Sequence, residues 1–174
     1  MNIEKATIKC ETVYNADRTH KFLLKRTWDK EKAKACIIML NPGRASTVTM
    51  DTTTYLVMNN TALLDFGEVN IVNLFSGITS KLNFKNNTPE ELNLPENDEY
   101  IRKTASECDA VIIAWGLGSA NNQHISARAD EVMEILKEFD DKLYLISDGE
   151  RVGVHPLTPS VRVAGWELET YILK

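Results

Sequence analysis

Four short apolar runs, Ala35 to Leu40, Val69 to Phe75, Ala110 to Trp115 and Leu143 to Ile146, restrict this 174-residue chain to few folds. Each is β-rich, and each is separated from the next by a segment long enough to hold a crossover helix, the rhythm of parallel βαβ units. The intervening segments carry helix signals. Asp51 can cap a helix through about Phe66, stopped by Gly67, although its Thr-rich start is a weak helix former. Asn97 or Asp98 can cap a second, ending near Cys108. The third reads from Ser126 to Phe139, where Ala129, Val132, Met133, Leu136 and Phe139 follow i, i+3, i+4 spacing and form a core-facing stripe. Ser76 to Glu96 is polar, carries Asn86-Asn87, Pro89 and Pro95, and reads as a long loop suited to a lid or rim.

The first 35 residues differ. Alternating patterns at Thr7 to Tyr14 and Lys21 to Trp28, joined by the turn-like Asn15-Ala16-Asp17-Arg18, predict an antiparallel hairpin. It holds an uneven share of the cations: Arg18, Lys21, Lys25, Arg26, Lys30, Lys32 and Lys34, with His20 beside them. A solvated strand face and a polyanion-contacting edge are the two readings, the first favoured.

Size and composition set the outer bounds. One domain over residues 1–174 is expected, with 43% hydrophobic residues to build its core. A net charge of −5 is the opposite of the basic footprint of a duplex scanner, so tight non-specific duplex DNA binding is not expected. Cys10, Cys36 and Cys108 are odd in number, widely spaced and without CxxC, which argues against a disulfide framework or a structural zinc site. Met1 to Asn15 carries no signal-like apolar core, and no stretch has the length of a membrane span. The expectation is a cytoplasmic protein without membrane attachment.

Chemistry-bearing residues gather at the predicted strand ends. The first core run stops in Asn41-Pro42-Gly43, where the proline forces Asn41 out of helical dihedrals and the glycine allows close approach to a ligand. An asparagine there can hold a water or a base edge, but its amide is no ordinary general base; a turn asparagine bonded to its own backbone is the competing reading. Arg44 and Ser46 add donors suited to phosphate or carboxylate. Asn73, among apolar neighbours, reads equally as a recogniser of a ligand edge or as a loop anchor. Trp115-Gly116-Leu117-Gly118-Ser119 ends the third run; its glycine turn could hold an anion before a helix, and Trp115 is either a stacking surface or core. His155, in Gly153-Val154-His155-Pro156-Leu157-Thr158-Pro159-Ser160, follows a polar loop containing Asp148, Gly149 and Arg151. It could serve as an electrophile or orienting donor, or as a structural hydrogen-bonder. No triad spacing, carboxylate pair or metal-ligand cluster stands out, so neither metal nor cofactor is expected.

The set RTWD at 26 to 29, MLNPGRAS at 39 to 46, VNLF at 72 to 75, AWG at 114 to 116 and HPL at 155 to 157 resembles a bacterial and phage family known as domain of unknown function 1643. More distantly, NPG, VNL, WG and HP after successive parallel strands resemble the uracil-DNA glycosylase superfamily. That resemblance implies an α/β three-layer sandwich with a central, mostly parallel four-stranded sheet in the order 2-1-3-4, here following the N-terminal hairpin. It also implies cleavage of an N-glycosidic bond, with Asn41 positioning water, His155 stabilising the departing base and Asn73 reading the base. Pro42, Gly43, Arg44, Trp115 and Gly116 would complete the substrate site. Leu157-Thr158-Pro159-Ser160 departs from the superfamily's wedge order, and no aromatic follows NPG. The expected ligand is therefore a nucleoside, a nucleotide, or single-stranded or modified nucleic acid. A non-catalytic nucleotide-binding module, or a phage–host interaction protein acting through the hairpin or the long loop, are the alternatives.

Overall fold

The computed structural model describes residues 1–79 and 81–172. One seven-stranded mixed sheet runs through it: β1 (Lys9–Tyr14), β2 (Lys21–Thr27), β3 (Lys34–Met39), β4 (Glu68–Asn73), β5 (Ala110–Ile113), β6 (Leu143–Ser147) and β7 (Glu167–Thr170), in the order β1-β2-β4-β3-β5-β6-β7. The four apolar runs are the four parallel strands, and their order β4-β3-β5-β6 is the 2-1-3-4 arrangement. Parallel strands covered on both faces need apolar side chains on both, and β4 and β5 are buried along their whole length.

Alternation along the strands builds two cores. Cys36, Ile38, Val72, Val111 and Ile113 meet Ile101, Ala105, Val132 and Leu136 of helices α3 (Glu96–Glu107) and α4 (Gln123–Leu136). Ala35, Ile37, Met39, Val69, Ile71 and Ile112 meet Val57 of α1 (Thr52–Leu63) and Val161 of α5 (Pro159–Ala164) on the other face. Helices therefore lie on both sides of the sheet. Strand order reverses between β3 and β5, the switch point where open α/β sheets form a crevice at their carboxyl ends.

A four-stranded sheet preceded by a separate hairpin is too small a description. β2 pairs antiparallel with β4 and docks through Phe22, which stacks on Tyr100 of α3 at 5.0 Å, so the hairpin is part of the sheet. At the far edge β7 pairs antiparallel with β6. Its sequence, Glu-Leu-Glu-Thr, buries Leu168 only in part and carries too little apolar pattern to announce a strand.

Helix starts follow local chemistry. Asp51 Oδ1 accepts the Thr54 N–H at 2.8 Å and caps α1 as expected. α4 begins earlier than Ser126, because the Asn122 side chain accepts from His124 and Ile125. α3 has no side-chain cap. Asn97 instead turns inward and donates to the carbonyls of Asn73 (3.0 Å) and Leu74 (3.3 Å). The long loop holds one short helix, α2 (Pro89–Leu92), with a Thr88/Glu91 capping box, and is tied back where the Gly77 N–H meets the Leu92 carbonyl at 2.9 Å. Among the described residues no helix is long and apolar enough to cross a membrane.

Candidate functional site

The Asn41-Pro42-Gly43 turn is held from below by the hairpin. Lys21, 4% exposed, donates from Nζ to the carbonyls of Gly43 (2.8 Å) and Ala45 (2.5 Å). Arg26 donates to those of Ser46 (2.9 Å) and Thr49 (3.3 Å). Burial lowers the Lys21 pKa, while the nearby Asp51 charge opposes that shift. Gly43 is required by space: a Cβ there would stand 2.3 Å from Asp51 Oδ2, and the Asp51 carboxylate is already fixed as the α1 cap. The hairpin cations are thus neither uniformly a solvated face nor a free edge. Two of them are structural clamps on the loop that shapes the crevice.

Asn41 donates from Nδ2 to the Thr79 carbonyl at 2.8 Å, which fixes the plane of its carboxamide. Among the described residues its Oδ1 has no hydrogen-bond partner, leaving that oxygen for a ligand or water. Asn73 ends β4 and is 3% exposed, yet its Oδ1 is buried without a hydrogen-bond partner. A buried amide oxygen left unpaired costs about 1–3 kcal/mol, so the loop-anchor reading does not account for this side chain. Its backbone carbonyl does the anchoring, through Asn97.

His155 sits where the chain leaves β6. The Gly153 and Val154 N–H groups bond to the Ile146 carbonyl at 2.9 and 3.2 Å, and the preceding turn is knotted by Asp148, which accepts from Ser160 Oγ (2.5 Å), the Arg151 N–H (2.7 Å) and Arg151 Nη2 (2.8 Å). The Ser160 bond, followed by those from Arg151, holds the Asp148 carboxyl well below the usual carboxylate range. The Leu157 N–H donates to His155 Nδ1 at 3.1 Å. An Nδ1 that accepts carries no proton, so the neutral ring bears its hydrogen on Nε2. Burial lowers the His155 pKa and favours that neutral form. Gly116 explains why a glycine follows Trp115: its φ is +86°, and a Cβ would approach His155 Cβ to 2.9 Å.

Six expected site residues, Asn41, Pro42, Gly43, Arg44, Asn73 and His155, line one cavity of about 350 Å³, within the range of small-ligand pockets. Trp115 and Gly116 line an adjoining depression that shares Leu40 and His155 with it. Trp115 also packs on the α3–α4 core, so it belongs to both. Arg44 is exposed at the rim, and Ser46 is turned away, its Oγ on Thr49 Oγ1 at 2.9 Å. Lys21, Asp51 and Thr79 also line the cavity without having been singled out as site residues. Lys21 carried no usable signal, since a lysine beginning a hairpin strand looks solvated until the loop after β3 folds over it.

Fold and crevice together define an α/β domain with a pocket at the carboxyl ends of β3 and β4 that carries the two carboxamides Asn41 and Asn73, beside the switch point of a doubly wound core. The chain belongs to the family described as "Protein of unknown function (DUF1643)", which it matches over residues 21–157, from the lysine that clamps the turn to the leucine beside the histidine. No curated protein and no solved structure gives a significant match.

Proposed function

We propose that this crevice hydrolyses the N-glycosidic bond between a nucleobase and its sugar, in a nucleoside, a nucleotide, or single-stranded or modified nucleic acid. The observation that carries the reading is the meeting, in one cavity, of Asn41, of Asn73 with its buried and unpartnered Oδ1, and of a neutral histidine with its hydrogen on Nε2. Asn73 Oδ1 would accept from a base N–H. The C1′–N bond breaks with its electron pair leaving on the base, and His155 Nε2–H donates to the charge that develops there. Water held by Asn41 adds its oxygen to C1′ and gives its proton to the departed base or to solvent. Positioning and electrostatics supply the catalysis.

One observation favours a binding module instead. The carboxylate lining the cavity, Asp51, is committed to backbone N–H groups of Thr54 and, at 3.4 Å, Ala45, so it is poorly placed to accept the water's proton. Incubating the protein with nucleosides, nucleotides and modified oligonucleotides, and measuring free base by mass spectrometry, separates the two. Release by the wild type that is lost in Asn41→Ala and His155→Ala supports hydrolysis. Saturable binding without release supports the module, and activity surviving Asn41→Ala would refute the mechanism.

A further inference from the structure

Five lysines that the crevice does not use collect at the opposite end of the strands, around the amino ends of β3 and β4. Backbone register sets Lys9 beside Thr27, Thr27 beside Glu68 and Glu68 beside Lys34, so one transverse row carries two lysines on the same face, on either side of a carboxylate. Lys25 lies two residues back along β2, on that same face, and the β2–β3 connection adds Lys30 and Lys32. All five line one depression of about 220 Å³, together with Asp29 and Glu68.

Both carboxylates are already engaged. Glu68 accepts from Lys25 Nζ (2.9 Å), Asn70 Nδ2 (2.9 Å) and Thr27 Oγ1 (2.7 Å). Asp29 accepts the Glu31 N–H at 3.0 Å within its own turn. Lys32 pairs with Asp65 at 2.7 Å. Lys9, Lys30 and Lys34 are left exposed and without an ion-pair partner among the described residues. With Asp65 on Lys32 and with Asp109 Oδ2 accepting the Lys34 N–H at 2.8 Å, four carboxylates lie near the five lysines, and the unpaired cations are the exposed ammonium groups of Lys9, Lys30 and Lys34. A bound polyanion would supply these three ammonium groups with the counter-charge that the fold does not. Pockets for drug-sized organic ligands begin at about 300 Å³, so this one suits a compact anion. Flexible point charges also match phosphoryl oxygens.

We propose that the depression binds a small oligophosphate of two or three phosphoryl groups, seated on Lys9, Lys30 and Lys34. It lies at the opposite end of the strands from the crevice, and the proposal does not depend on what the crevice does. Titration calorimetry with inorganic tripolyphosphate at low ionic strength tests it. The wild type should bind one equivalent saturably, more tightly than orthophosphate, and added salt should weaken binding. The double variant Lys9→Gln/Lys34→Gln should lose about tenfold or more in affinity, as expected for removing two charge-assisted contacts. Arg44→Gln, at the crevice rim, should bind as the wild type does. No binding by the wild type, affinity retained in the double variant, or affinity lost in Arg44→Gln would each overturn the assignment.

Discussion

The two ends of strands β2, β3 and β4 use the same side chain in opposite ways. At the crevice end Lys21 is buried and gives its ammonium to two carbonyls of its own chain. At the other end Lys9, Lys30 and Lys34 stand in solvent with no ion-pair partner among the described residues. The difference is set by what folds over each lysine. The loop from Asn41 to Asp51 crosses the start of β2 and brings carbonyls that need donors, whereas the short β2–β3 connection leaves its lysines uncovered. A cation is available to a ligand only where the backbone has not claimed it, and proximity in sequence says nothing about which case holds.

Removing the buried cation should break the contrast with the largest effect. Lys21→Met keeps the apolar stem but leaves the Gly43 and Ala45 carbonyls without their donor. At about 1–3 kcal/mol for each of the two unsatisfied groups, the loss of unfolding free energy should be roughly 2–6 kcal/mol. Lys30→Gln, on the uncovered connection, should stay within about 0.5 kcal/mol of the wild type, as exposed substitutions do. Urea denaturation measures both, and equal effects would mean that the two ends are not energetically distinct.

Asn73 sharpens the comparison from the side of the ligand. Its unpaired buried Oδ1 is an energetic cost to the folded chain, so Asn73→Leu should be neutral or stabilising by up to about 1 kcal/mol. The same change should abolish ligand binding or base release. A variant that is clearly less stable, or that keeps full binding, would return Asn73 to a structural role.

Much of this architecture was legible in the sequence. The parallel strands are buried on both faces and read as continuous apolar runs, and Asn41 and His155 were findable because proline and glycine mark the strand ends that carry them. What escaped detection depended on tertiary contact. Asn97 has the composition of a helix cap, but the carbonyls of Asn73 and Leu74 draw its side chain inward. The strand β7 has little apolar pattern to read, and α5 is six residues long. Lys21 and Arg26 look like surface cations until the loop they hold is in place. The family match runs from Lys21 to Leu157, so β1 and β7, the two edge strands of the sheet, both lie outside it.

The smallest expected effect is a dependence on pH. Burial holds His155 below its ordinary pKa, and at His20 burial outweighs the opposing pull of Asp17 and Glu96. In the unfolded chain both imidazoles take up protons near pH 6.5, while the folded chain resists, so stability is intact above that value and falls as the pH drops through it. Between about pH 7 and pH 5 the free energy of unfolding should decline, and His155→Gln should flatten the slope, as should His20→Asn. The carboxylates with lowered pKa values titrate below this window, so the histidines dominate it. At His155 the decline has a local cause. A proton on Nδ1 removes the acceptor of the Leu157 N–H and loosens the loop that holds His155 against the cavity. Whatever the crevice binds should therefore be lost on the same acidic limb in the wild type; if ligand affinity holds constant there while stability falls, His155 does not face the ligand.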